Sequence, residues 1–189
     1  PIVGFIITLA CGVIFAIAAA IASIFYNQMK LSVSFSNSLK AMAFLLIIIF
    51  FNVIRYTGFG FHAEKSYQCL LFSTFNFIVI PFLLFHFQLS NTFVYGICAI
   101  CIFHYLLFAP ADTKKRPLSN KKKRIIRKII TVMIGFIYTS IIILLKSEYW
   151  TPIFLSALII QAIIISPITY RLFKQPYNNY KTLNIQKNI

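Results

Sequence analysis

Six long apolar runs constrain this chain more than any other feature. They cover residues 2–26, 41–54, 70–87, 92–109, 129–145 and 150–170. Most approach the roughly 20 residues that a helix needs to cross a bilayer. The second is short: its core of 14 residues rises only about 21 Å against a hydrocarbon thickness of about 30 Å. Lys40 can snorkel and residues 52–56 can extend the run, giving a span of 41–56. The first run lacks a basic leader and is too long for a signal-peptide core, so it reads as a retained helix. Composition agrees, with 60% hydrophobic and 11% charged residues against about 25% charged in an average soluble domain. The mean hydropathy is +0.85. The expected fold is therefore all-α: a single integral membrane domain over 1–189, polytopic, with about six transmembrane helices.

The distribution of positive charge orients those helices, because Lys and Arg in short loops stay cytoplasmic. The first, third and fifth connections together carry three Lys and Arg, whereas the second, the fourth and the tail carry fifteen. Both termini, the loop between helices 2 and 3, the basic loop 110–128 and the tail 171–189 are thus expected on the cytoplasmic face. That compartment is reducing, so a thiol in the loop between helices 2 and 3 persists free.

Much of the net charge of +15 lies between residues 114 and 128. Lys114, Lys115, Arg116, Lys121, Lys122, Lys123 and Arg124 suit either of two partners. Anionic lipid would hold them as a topology anchor, each contributing about 1 kcal/mol. An acidic peptide would be steered by the same field. Nucleic acid is a poor fit, since no aromatic platform or soluble domain accompanies the patch. Asp112, Glu64 and Glu148 are the only acids and none lies inside a span, so a paired-carboxylate hydrolase, a carboxylate-rich metal site or a proton-relay transporter is hard to build.

Other polar residues have packing explanations. Gly12, Ala16 and Ala20 form a small-residue stripe that lets a second backbone approach and allows a homodimer. Asn52 and Gln161 interrupt apolar runs, where interhelical hydrogen bonding or a site-lining role would account for them. Cys11 reads as a packing residue. Cys98, Cys101 and His104 form C-x-x-C-x-x-H, but their side chains fan over about 120° of one helix. Packing is favoured there over metal or redox chemistry, and no metal or cofactor is expected.

The sharpest polar feature is Arg55-Tyr-Thr-Gly-Phe-Gly-Phe-His-Ala-Glu-Lys-Ser-Tyr-Gln-Cys69, which sets a histidine seven residues before a cysteine. A thiol nucleophile needs a base or a positive neighbour, and His62, Arg55 and Lys65 supply both kinds. On a continuous helix the pair would stand about 10.5 Å apart along the axis, beyond hydrogen-bond reach. Gly58 and Gly60 allow the chain to break. An irregular segment from Arg55 to about Ser66 is expected, with helix resuming near Cys69. Spacing alone leaves an accidental His and Cys as the alternative.

This stretch resembles the signature of the accessory gene regulator B family, membrane cysteine endopeptidases of Gram-positive peptide quorum sensing. Arg55, Gly60, His62, Ala63 and Cys69 match its pattern residue by residue. A second match, Phe108-Ala-Pro-Ala-Asp-Thr-Lys-Lys-Arg-Pro117, resembles the family's A-P-x-x-x-x-x-x-P entry into a basic loop. The family usually has a second glycine where Phe59 stands. The resemblance implies a multi-pass protein of the bacterial cell membrane whose Cys69 attacks a peptide bond of a short amphipathic propeptide, with His62 as base. An acidic C-terminal fragment leaves, and a peptidyl thioester cyclises to a thiolactone or lactone. Gln68 and backbone amides near Cys69 are candidate oxyanion donors. The rival class is a noncatalytic transporter or assembly subunit whose basic loop only anchors.

Overall fold

The computed structural model describes residues 37–61, 66–87, 89–113, 118, 120–177 and 179, and at 37–41, 66, 69 and 70 it describes the backbone alone. The apolar run 2–26, with Cys11 and the Gly12, Ala16, Ala20 stripe, lies outside the described residues. Among the described residues the chain is all-helical, with nothing longer than an isolated bridge in extended conformation. In chain order the helices are α1 (Asn37–Gly58), α2 (Ser66–His86), α3 (Asn91–Phe108), α4 (Lys121–Leu145), α5 (Trp150–Ile165) and α6 (Pro167–Leu172).

Helix ends follow local chemistry more than hydropathy. α1 has 22 residues and rises about 33 Å, longer than its apolar core, because no proline occurs in it and no glycine before Gly58. α3 ends at Phe108, capped by the extended Ala109 ahead of Pro110. α4 begins at Lys121, where the Asn120 side chain accepts from the Lys123 amide at 3.3 Å. The second half of the expected basic loop 110–128 is therefore the first two turns of a helix. The expected span 150–170 is divided at Ser166. Pro167 has no N–H to continue α5, and Ser166 starts α6 by accepting from the Ile168 amide at 3.3 Å.

α5 is the centre of the molecule. Eleven of its 16 residues are buried, and it packs on α1, α2, α3 and α4. A helix enclosed this way is apolar all round, which is how α5 reads. Two buried tyrosines tie its surroundings together. Tyr105 of α3 donates to the Leu158 carbonyl of α5 at 2.6 Å, and Tyr138 of α4 donates to the Phe50 carbonyl of α1 at 2.9 Å.

Two described helices, α3 and α4, are long and apolar enough to cross a membrane. Only 28% of the apolar window of each is buried, unlike the core helices of a water-soluble protein. Ile100, Phe103, Leu107, Met133, Phe136 and Ile137 are among the large apolar side chains they expose, a surface suited to hydrocarbon.

Candidate functional site

The polar stretch after α1 forms a tight turn gripped by two other segments. α1 continues through Arg55 to Gly58, so the irregular segment starts at Phe59, not at Arg55 as its glycines suggested. Phe59 closes the last helical turn, its amide donating to the Arg55 carbonyl at 2.9 Å. The chain then leaves the helix through two positive φ angles, 53° at Phe59 and 128° at Gly60. Gly60 is required twice over: that φ disfavours side chains, and a Cβ would stand 2.4 Å from Ile164 Cγ2.

Most backbone polar groups of this turn find partners on other segments. The Gly60 amide donates to the Ala111 carbonyl at 3.0 Å, and the Ala111 amide returns to the Gly58 carbonyl at 3.1 Å. These bonds make the parallel bridge between Phe59 and Ala111. The Phe61 amide donates to the Ile164 carbonyl at 2.9 Å, and the Gln161 side-chain amide donates to the Phe59 carbonyl at 3.0 Å. The two sequence motifs, fifty residues apart in the chain, are therefore one piece of structure. The Ala109-Pro110-Ala111-Asp112 segment lies alongside the turn at Phe59, Gly60 and Phe61, bridged to it at Ala111.

Side chains brace the same turn from all sides. Arg55 donates to the Phe61 carbonyl at 3.3 Å. Phe61 is buried against Phe72, Tyr170 and Phe173, its ring stacked 4.6 Å from that of Phe173. Arg127, from the basic start of α4, donates to the Tyr56 carbonyl at 3.1 Å and lies 4.4 Å over the Phe59 ring. The Thr131 hydroxyl is 2.9 Å from that of Thr57.

Asp112 is 1% exposed, and its carboxylate accepts from the Asn179 amide at 3.0 Å. Tyr170 donates to the Asp112 carbonyl at 3.1 Å. Sequence reasoning missed Asp112, Arg127 and Tyr170 as members of this site. The one available signal was Asp112 itself, a lone acid ahead of a basic run.

Of the residues singled out from the sequence, Gly60 lies in the turn and Arg55 braces it from the last turn of α1. Gln68 is half-buried in the first turn of α2, and Cys69 follows it as the fourth residue of that helix. His62 and Ala63 lie outside the described residues, as do Lys114, Lys115 and Arg116. Lys121, Lys122 and Lys123 are exposed and Arg124 is half-buried, all in the first turn of α4. Among the described residues Asn52 bonds within its own helix, its amide donating to the Ile48 carbonyl at 2.9 Å. Gln161 does reach across, to the turn. Cys98 and Cys101 are free thiols buried in the core, and the His104 ring lies 4.5 Å from Phe108. Among the described residues no three His, Cys, Asp or Glu side chains come together as a metal site would require.

The family model described as accessory gene regulator B matches residues 2–165, a range that contains the turn, the segment bridged to it at Ala111 and the gripping part of α5. This chain belongs to the accessory gene regulator B family. An AgrB-like protein of Listeria welshimeri is 32% identical over 162 residues, covering 84% of this chain and 79% of the relative. A second, from Listeria innocua, is 32% identical over 164 residues with the same coverage. The accessory gene regulator protein B of Staphylococcus aureus strain JH9 is 26% identical over 147 residues, covering 76% and 78%. No solved structure matches significantly. The five positions that carried the resemblance all lie within the matched range of this AgrB chain.

Proposed function

We propose that this AgrB chain is a multi-pass membrane cysteine endopeptidase that processes a quorum-sensing propeptide, with Cys69 as nucleophile and His62 as its base. The observation that carries the proposal is the break between α1 and α2. A straight helix would hold the two residues about 10.5 Å apart, whereas here the helix ends at Gly58 and resumes at Ser66. His62 directly follows a residue pinned to α5, and Cys69 belongs to the first turn of α2. The unpaired amides and positive dipole end of a helix N-terminus favour a thiolate there.

In the proposed reaction the Cys69 thiolate attacks the scissile carbonyl and forms a C–S bond. The C–N bond breaks, and protonated His62 gives its proton to the leaving amine. A Cys or Ser side chain of the bound propeptide then attacks the thioester carbonyl, its proton passing to His62. A cyclic thiolactone or lactone leaves, and the Cys69 thiolate is restored. No external oxidant, metal or cofactor enters the balance. The membrane supplies an amphipathic substrate in two dimensions and keeps water from the acyl-enzyme. In this reading the positive face is cytoplasmic, and the basic start of α4 would attract the departing acidic fragment.

Membrane insertion being equal, Cys69→Ala and His62→Ala are each expected to abolish cleavage of a co-expressed propeptide. Processing by either variant would overturn the proposal in favour of a noncatalytic membrane component.

A further inference from the structure

The amide of Gln161 is out of place for packing alone. It is fully buried in the most enclosed helix of the molecule, and its Oε1 is buried with no hydrogen-bond partner among the described residues. Its Nε2 donates to the Phe59 carbonyl at 3.0 Å. That carbonyl needs a donor from elsewhere, because the left-handed φ at Phe59 ends the helix that would have served it. One turn further along α5, the Ile164 carbonyl receives the Phe61 amide at 2.9 Å. Gln161 and Ile164 are three apart and share a face of α5, so this helix grips the turn on both sides of Gly60. His62 is the next residue. The same amide accounts for Gly58, where a Cβ would stand 2.6 Å from Gln161 Nε2.

We infer that Gln161 is a positioning residue of the catalytic turn, fixing the Phe59 to Phe61 peptides so that His62 is delivered toward Cys69. The inference rests on the proposed pairing of those two residues. Gln161 touches neither substrate nor reacting atoms; it acts through the backbone that ends at His62.

Iodoacetamide is a probe that needs no propeptide. Full-length chain in native membranes is alkylated across pH 5.5 to 9.5, and modification of Cys69 is followed by mass spectrometry of its peptide. A thiol assisted by His62 reacts well below the free-thiol midpoint of about 8.5. His62→Ala is expected to move the profile toward that value and slow alkylation at pH 6.5 about tenfold. Gln161→Met, similar in volume but without a donor, is expected to do the same. Gly58→Ala, which displaces the amide while favouring the helix, is expected to move it in the same direction.

If His62→Ala shifts the profile while Gln161→Met and Gly58→Ala keep it, the positioning role falls and the catalytic pair stands. A role in packing alone would lower the amount of folded protein without moving the profile of what remains, and that result also overturns the inference. If His62→Ala changes nothing, the pairing itself falls and the role of Gln161 with it.

Discussion

Phe59 sits at φ 53°, a conformation that costs a side chain with a Cβ about 1 to 2 kcal/mol. The second glycine that the family resemblance leads one to expect at this position would have a plain physical reason in the turn. What offsets the cost here is the ring, half-buried and covered by the Arg127 guanidinium 4.4 Å away. Such a contact contributes about 0.5 to 1 kcal/mol at a partly exposed site. Phe59→Gly removes the strain and the ring together and adds unfolded-state entropy, so its stability is expected within about 1 kcal/mol of the parent. Phe59→Val keeps the strain with a β-branched side chain and loses the ring, and is expected to cost about 1 to 3 kcal/mol. Thermal denaturation of the solubilised chain measures both, and a Val variant as stable as the parent would refute this account. Arg55 and Gly60 were legible as parts of a motif because a charge and a glycine stand out in an apolar chain. Of the turn's bracing only Gln161, a polar residue inside an apolar run, was legible, because Asp112, Arg127 and Tyr170 join the turn only through contacts across roughly fifty to a hundred residues of sequence.

At the scale of elements, hydropathy located the helical runs among the described residues but not their ends. Asn120 starts α4 inside the basic run, and Ser166 with Pro167 divides an apolar stretch into two helices. Both are capping chemistry, local and polar, to which an average over apolar residues is blind. Hydropathy does mark α5, which is apolar all round as an enclosed helix is, but which helices enclose it is a property of the packing. The crossing of α3 and α4 shows how close that packing is. A Cβ on Gly135 would meet the Tyr105 ring at 3.1 Å, and that ring's hydroxyl is bound to Leu158 of α5. Gly135→Ala is expected to cost about 1 to 3 kcal/mol by overpacking. Gly135→Leu is expected to break the Tyr105 to Leu158 bond as well and to prevent stable accumulation in the membrane. Immunoblotting of membrane fractions with a melting curve for the Ala variant tests both, and an unchanged Leu variant would show that α3 and α4 do not cross as described.

For the molecule as a whole, the charge is one-sided. Eighteen Lys and Arg face three acids, and of these acids Asp112 is buried in the turn. Arg127 links the two regions, since it belongs to the basic helix α4 and lies on Phe59 and Tyr56 of the turn. Lys121, Lys122 and Lys123 stand exposed one to two turns before it, at the positive dipole end of α4. An acidic peptide segment there would be held by charge in a screened, water-exposed setting, where each contact contributes little and salt weakens all of them. The triple variant Lys121→Gln, Lys122→Gln, Lys123→Gln is therefore expected to raise KM for a propeptide with an acidic tail about tenfold, leaving kcat within about twofold. The parent's KM should rise in the same way with salt, and the variant's much less. Truncating the acidic tail should remove the difference between the two proteins. If these lysines serve only as a lipid anchor, the variant will keep the parent's KM and instead change which face of the membrane exposes α4 to an impermeant amine reagent. The two roles thus separate in one pair of measurements, a KM and a labelling pattern.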